Sequence, residues 1–95
     1  MQSGEQMASY YYQNKEYDKA IELYEPLYNK TQNLFYYQML YACYTETMQW
    51  KEAEKLVEKR IKKQQRELAL YVDLGKVYLA RGDKKKAEKQ FATAI

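Results

Sequence analysis

Three alanines at a nearly constant spacing constrain the fold of this chain more than any other feature. Ala20, Ala53 and Ala87 are separated by 33 and 34 residues in a chain of 95 residues. The same register aligns residues of similar type elsewhere: Met7, Leu40 and Leu74; Tyr11, Tyr44 and Tyr78; Tyr24, Val57 and Phe91. A period of this length indicates copies of one supersecondary unit, which stack because no single copy can bury its apolar face alone.

Within each copy the apolar residues follow the spacing of a helix. The third copy shows this best, with apolar or aromatic residues on both sides of a turn at 80–83: Tyr71, Leu74, Tyr78, Ala87, Phe91 and Ala94. Steps of three and four residues place such side chains on one face of a helix. One proline and three glycines leave few breaks, which favours helices over a turn-rich β fold. The sequence therefore predicts an all-α protein built from helix–turn–helix units.

Polar residues beside the apolar runs predict where the helices begin. Ser3 and Gln6 have the form of a capping box, so the first helix should start just after Ser3. Asp18 is expected to cap the second helix and Asn33 the third. Pro26 lies inside the second helix, where it removes one backbone hydrogen bond and should kink the helix without ending it.

The third copy resembles the tetratricopeptide repeat family in its residue pattern, which is Tyr71-x-x-Leu74-Gly75-x-x-Tyr78, a turn at Gly82, and then Ala87, Phe91 and Ala94. The resemblance extends over the chain as three repeats at about 1–33, 34–67 and 68–95. It implies a single domain over 1–95, folded as a right-handed solenoid of three antiparallel helix pairs. Met48 departs from the family, which usually has glycine there, and a left-handed Met48 would cost about 1 kcal/mol.

Members of this family bind other proteins, and the resemblance implies a concave groove lined by the first helix of each pair. The residues carried over to that groove are Gln2, Glu5, Ser9, Tyr12, Phe35, Gln38, Ala42, Thr45, Ala69, Val72, Lys76 and Leu79. We predict a binding site for a peptide or helix at Tyr12, Phe35, Gln38, Val72 and Lys76. Tyr12 and Phe35 are the expected anchors, because aromatic side chains dominate binding hot spots. In the alternative interpretation, Phe35 only covers a helix start and Tyr12 packs sideways.

One specific partner of the family is disfavoured. Chaperone-binding members hold an acidic C-terminal tail with basic side chains on their first helices. The matching positions in this chain include two acids and no base: Glu5, Ser9, Met39, Ala69 and Asp73. Such a tail would be repelled here.

The sequence offers little for catalysis, so we predict that the protein is not an enzyme and uses no cofactor or metal. It has no histidine, and its one cysteine, Cys43, lies in an apolar run where a buried, inert thiol is expected. Neither a glycine-rich phosphate loop nor a metal-ligand spacing is present.

Two further functions stay open. The chain ends partway through its third repeat, as a piece of a longer array would, so Phe91, Ala94 and Ile95 could form an uncapped edge for self-association or assembly. Basic residues expected on the convex side could bind a polyanion: Lys59, Arg60, Lys62, Lys63, Arg66, Lys84, Lys85, Lys86 and Lys89. Nucleic acid is disfavoured, because no aromatics at base-stacking spacing interrupt these runs.

The compartment is not fixed by the sequence. No stretch has the length and apolarity of a membrane span. Residence in the cytoplasm, or in the periplasm after removal of a signal peptide, are both compatible with the composition.

Overall fold

Six α-helices account for most of residues 3–95, the part of the chain described by the structure, which is a computed structural model. They are α1 (Gly4–Gln13), α2 (Tyr17–Thr31), α3 (Leu34–Glu46), α4 (Trp50–Lys63), α5 (Ala69–Ala80) and α6 (Lys84–Ala94). Short turns join the helices, and no strand occurs in this range. The predicted all-α class is confirmed, and α2 continues through Pro26 as expected.

Side-chain caps fix the starts of three helices. The capping box at α1 is confirmed: the Gln6 amide donates to Ser3 Oγ at 3.1 Å, and the Ser3 amide donates to Gln6 Oε1 at 3.0 Å. Asn33 caps α3, as predicted, by accepting a 2.7 Å hydrogen bond from the Phe35 amide. At α6, Asp83 accepts a hydrogen bond from the Lys86 amide at 3.0 Å.

The predicted cap of α2 is wrong. Helix α2 begins at Tyr17, after Glu16, and Asp18 lies inside its first turn. The reason is the preceding turn, which closes when the Glu16 amide donates to the Tyr11 carbonyl at 2.8 Å and so brings the helix start forward. Asp18 still helps the helix, because a carboxylate in the first turn opposes the positive end of the helix dipole.

The turns after α1, α3 and α5 each contain one residue in the left-handed conformation. These residues are Lys15 (φ 61°), Met48 (φ 57°) and Gly82 (φ 85°). Met48 is therefore in the left-handed conformation for which a cost of about 1 kcal/mol is expected. The turn after α5 closes as the turn after α1 does, with the Asp83 amide donating to the Tyr78 carbonyl at 2.9 Å. Only Gly82 adopts this conformation without a side-chain penalty.

The chain divides into two compact units, Met1–Met48 and Gln49–Ile95, which we call unit 1 and unit 2. The boundary lies between α3 and α4, inside the second predicted repeat. Each unit therefore holds three helices and not a whole number of helix pairs.

In unit 1, α2 packs against both α1 and α3. Its buried core is rich in tyrosine and consists of Ala8, Ala20, Ile21, Tyr24, Tyr28, Tyr37, Leu40, Cys43 and Tyr44. Tyr28 is not among the residues aligned by the repeat register, yet it is buried and its ring lies 6.2 Å from that of Tyr37. Helix α2 thus buries more of its C-terminal turn than the repeat register predicts.

In unit 2, α5 packs against both α4 and α6. The buried apolar residues are Ala53, Val57, Leu70, Leu74, Val77, Tyr78 and Ala87. Gly75 allows α6 to approach, because a Cβ at this position would overlap the ring of Phe91. The basic cluster predicted for the outer face loses one member: Arg60 is only 7% exposed and its Nε donates to Glu67 Oε2 at 3.0 Å. An inward guanidinium is tolerated because a carboxylate meets it.

Candidate partner-binding surface

Three of the five predicted binding residues lie in unit 1. Phe35 is 43% exposed, Gln38 is exposed and Tyr12 is half-buried. The other two, Val72 and Lys76, are on α5 in unit 2, where Val72 is half-buried and Lys76 exposed. Gln2, assigned to the groove by the resemblance, lies outside the described residues.

An open depression of about 510 Å³ lies between α1 and the start of α3. We call it the α1 depression, and its lining residues are Glu5, Gln6, Ser9, Tyr10, Gln13 and Phe35. Glu5, Ser9 and Phe35 are groove residues carried over from the family. The sequence therefore identified half of the lining, including its most apolar member.

The α1 aromatic at this depression is Tyr10, not the predicted Tyr12. Tyr10 is 61% exposed, whereas the ring of Tyr12 packs edge-on against Tyr17 with centroids 5.7 Å apart. This contact is the sideways packing of the alternative interpretation. The missed signal is the spacing of Gln6, Tyr10 and Gln13, which places them on one stripe of the helix beside the stripe of Glu5, Ser9 and Tyr12.

A buried tyrosine, Tyr24, contacts two residues of the lining, Ser9 and Phe35. Tyr24 of α2 is fully buried, and its hydroxyl lies 3.0 Å from Ser9 Oγ. Its ring packs against those of Phe35 and Tyr36, with centroids 6.4 and 6.1 Å away. The ring of Phe35 also packs against that of Tyr36, with centroids 5.8 Å apart, and its amide donates to Asn33. These contacts hold the exposed ring of Phe35 in one position.

The hydroxyl groups of Tyr24 and Tyr36 stay protonated at neutral pH. Burial raises the pKa of Tyr24, and its hydrogen bond to Ser9 only partly offsets that rise. Burial, followed by a hydrogen bond to Glu5, raises the pKa of Tyr36. The neutral Tyr36 hydroxyl therefore donates a hydrogen bond to Glu5, and this bond links α3 to α1.

Few charges lie near the depression. Helix α1 carries Glu5 and helix α3 carries Glu46, and neither helix contains a lysine or arginine. The remaining polar groups of the lining are the amides of Gln6 and Gln13 and the hydroxyls of Ser9 and Tyr10. The surface combines exposed aromatic rings with uncharged donors and acceptors and one carboxylate.

Unit 2 has a polar depression of about 330 Å³ elsewhere, lined by Glu54, Tyr78, Arg81, Asp83 and Lys86. Glu54 accepts hydrogen bonds from the Tyr78 hydroxyl at 3.0 Å and from Arg81. Burial and then the bond to Glu54 raise the pKa of Tyr78 to about 12. Val72 and Lys76 are not among the lining residues, so this network and the predicted binding positions on α5 are separate features.

The predicted assembly edge is only partly exposed. The ring of Phe91 lies against Gly75 and Phe91 is half-buried, as is Ala94, whereas Ile95 is exposed. Helix α6 packs the Phe91 ring onto α5, so Phe91 offers only part of its surface at this edge.

The described residues contain no group of three or more histidine, cysteine, aspartate or glutamate side chains arranged to hold a metal ion. Cys43 is buried, as predicted, and burial raises the pKa of its thiol to about 11, which keeps it protonated. No helix within 3–95 is long and apolar enough to cross a bilayer.

No protein-family model and no curated protein sequence matches this chain. The resemblance to tetratricopeptide repeats therefore rests on the residue pattern, and the candidate surface rests on its geometry.

Proposed function

We propose that this chain is a non-enzymatic protein–protein interaction module of the tetratricopeptide type, which binds a peptide or helix of a partner at the α1 depression. The observation that carries the proposal is the position of Phe35. Its exposed ring packs edge-on against the buried Tyr24 and lines an open depression. Large apolar side chains are costly to leave in water, and a fixed, exposed aromatic beside a cavity is typical of a binding anchor.

The rigidity of this anchor favours binding. Association costs free energy when mobile side chains become ordered. Phe35 contacts two rings and lies in the first turn of a capped helix, so little of that cost falls on it. Tyr10 adds an exposed aromatic ring from the opposite wall, and the lining amides can pair with the backbone of an incoming segment.

The repeat assignment is supported by the backbone of the turns. Lys15, Met48 and Gly82 adopt the same left-handed conformation and are separated by 33 and 34 residues, which is the period of the aligned alanines. Val72 and Lys76 on α5 are the counterparts that the resemblance adds in unit 2, and Gln38 is the polar position one turn beyond Phe35.

The test is affinity capture from a lysate of the producing organism with the wild-type chain and with Phe35→Ala, followed by mass spectrometry. Leu34→Ala is the matched control, because Leu34 precedes Phe35, is equally exposed and does not line the depression. We expect a partner to be retained by the wild type and Leu34→Ala and lost by Phe35→Ala, with circular dichroism showing that all three are folded.

Other results would assign the function elsewhere. A partner retained by all three chains would contradict binding at the α1 depression. Recovery of copies of the chain alone would favour self-association. Partners that are acidic and are released at moderate salt from every variant would favour polyanion binding by the lysines of α4 and α6.

A further inference from the structure

We infer that the segment bound at the α1 depression is basic: an aromatic or aliphatic side chain that packs on Phe35, next to a lysine or arginine that pairs with Glu5. The inference rests on the proposed function and adds the chemistry of the partner. It depends on the charges around the depression and on the state of Glu5.

Glu5 is the one charged residue among the described residues of the lining, and neither its own helix nor the facing helix supplies a lysine or arginine. Its neighbours in the depression are amides, hydroxyls and Phe35. Unit 1 as a whole has three basic residues against six acidic ones. The field at this surface is therefore negative, and it attracts cationic side chains and repels acidic ones.

Glu5 differs in this respect from Glu16, Glu54 and Glu67. Glu16 pairs with Lys19 at 3.2 Å, Glu67 with Arg60 at 3.0 Å, and Glu54 with Arg81. Glu5 is bound by the neutral Tyr36 hydroxyl and forms no ion pair with a lysine or arginine of residues 3–95. Tyr36 orients the carboxylate without cancelling its charge, which leaves acceptor positions for a guanidinium or ammonium group.

A second copy of this chain fits the depression less well, although unit 2 has thirteen basic residues against seven acidic ones. Ten of those basic residues are on α4 and α6. Neither of these helices exposes a large apolar side chain, because the exposed ones in unit 2 are Leu68, Leu79 and Ile95. Only Leu68, near Arg66, and Leu79, near Lys76, combine the two features in unit 2, so a second copy is the competing occupant in the test below. We assign the depression to a segment of another protein, which is not limited to these two positions.

The experiment is selection of random peptides displayed on phage against the whole chain, with subtraction of peptides that also bind Phe35→Ala. We expect the remaining peptides to combine an aromatic residue or leucine with lysine or arginine, and to be depleted in aspartate and glutamate. A selected peptide, made synthetically, should bind Glu5→Gln roughly two- to fivefold more weakly, which is the range for an exposed ion pair. Glu22→Gln, which removes the same charge from an exposed position of α2 outside the lining, should bind as the wild type does.

The outcomes separate the two proposals. If no peptide depends on Phe35, both the proposed function and this inference are wrong. If Phe35-dependent peptides show no excess of basic residues, or bind Glu5→Gln as well as wild type, the depression binds peptides but the inferred chemistry is wrong. Equal weakening by Glu5→Gln and Glu22→Gln would reduce the effect to net charge and overturn the role of Glu5. A labelled second copy that binds in a Phe35-dependent manner would overturn the assignment to another protein.

Discussion

Units 1 and 2 each contain three helices but are held together by different interactions. Unit 1 contains ten of the twelve tyrosines, and its rings pack on one another, as Tyr24 does on Phe35 and Tyr36. Unit 2 contains thirteen of the sixteen basic residues, and two ion pairs tie α4 to the segments on either side of α5, Arg60 to Glu67 before it and Glu54 to Arg81 after it. The two three-helix units are therefore stabilised differently, unit 1 by aromatic burial and unit 2 in part by ion pairs.

Two aligned tyrosines show the difference most directly. Tyr44 and Tyr78 are 34 residues apart, and each hydroxyl donates to a glutamate of the preceding helix, Glu25 at 2.6 Å and Glu54 at 3.0 Å. In unit 2 Arg81 also pairs with Glu54, so the same contact becomes part of a charged network. Aromatic burial is nearly independent of ionic strength, whereas exposed charge pairs weaken as salt rises.

The largest expected effect comes from removing the ring at the centre of unit 1. Tyr24→Ala should lower the free energy of unfolding by about 3–5 kcal/mol, because it leaves a cavity beneath Phe35 and Tyr36. Tyr10→Ala, at an exposed ring, should change it by less than about 0.5 kcal/mol. Urea unfolding followed by circular dichroism measures both, and a Tyr24→Ala loss below about 1 kcal/mol would contradict the aromatic core of unit 1.

The next effect tests the ion pairs of unit 2. Glu67→Gln should cost about 1–3 kcal/mol, because it removes the carboxylate from the buried Arg60. Glu88→Gln is the matched control, since Glu88 and Lys84 are both exposed and 4.0 Å apart, and it should cost less than about 0.5 kcal/mol. Thermal unfolding of both variants provides the comparison, and equal losses would mean that burial of Arg60 adds nothing.

A smaller effect tests the turns. Gly82→Ala should lower the free energy of unfolding by about 1 kcal/mol, because Gly82 has a φ of 85° and a Cβ there meets no atom, which leaves only backbone strain. Met48→Gly, at a φ of 57°, should raise it by up to about 1 kcal/mol. Gly4→Ala, also in open space but without a positive φ, should not destabilise. Denaturant midpoints decide the sign in each case.

A further effect is expected at high pH. The pKa of Tyr78 is about 12 in the folded chain, mainly because of burial, and about 10 in an unfolded chain. A raised pKa favours the protonated hydroxyl, so its contribution to stability is complete below about pH 10 and is lost as pH rises towards 12. Tyr78→Phe should therefore lose less stability than the wild type between about pH 10 and about pH 12.

Tyr71→Phe is the control, because it also removes one tyrosine hydroxyl from α5. The Tyr71 hydroxyl donates to the Gln65 carbonyl, whereas that of Tyr78 donates to Glu54. The urea midpoint of each variant, measured at each pH, gives the comparison. If Tyr78→Phe follows the wild type, the hydroxyl of Tyr78 does not titrate with folding.

Much of the fold could be predicted from local signals. Ser3 and Asn33 capped the expected helices, the turn at 80–83 was placed correctly, and Cys43 was buried as its apolar neighbours indicated. These features depend on residues close together in the chain. Asp18 failed as a cap because the closing bond of the preceding turn, and not the nearest acidic side chain, sets the start of α2.

The candidate site was harder to predict than the helices. Phe35 was identified from the repeat register, but the register could not distinguish Tyr12 from Tyr10, which are adjacent to Tyr11 in a run of three tyrosines. Which of them lines the depression depends on where α2 and α3 lie, because the ring of Tyr12 packs against Tyr17 of α2 and is not available to the depression. Contacts between helices are not encoded in the spacing along one helix.

By itself the sequence determined the all-α class, the 33- and 34-residue period, the starts of the first three helices to within a few residues and the turn at 80–83, because periodicity, caps and turn residues act over short distances. Only the tertiary structure decided that Arg60 turns inward to Glu67, that Phe91 closes on Gly75, and that Tyr24 supports Phe35. Each of these contacts joins residues on different elements. Their formation depends on how the helices pack, and packing is a property of the folded chain and not of any one segment.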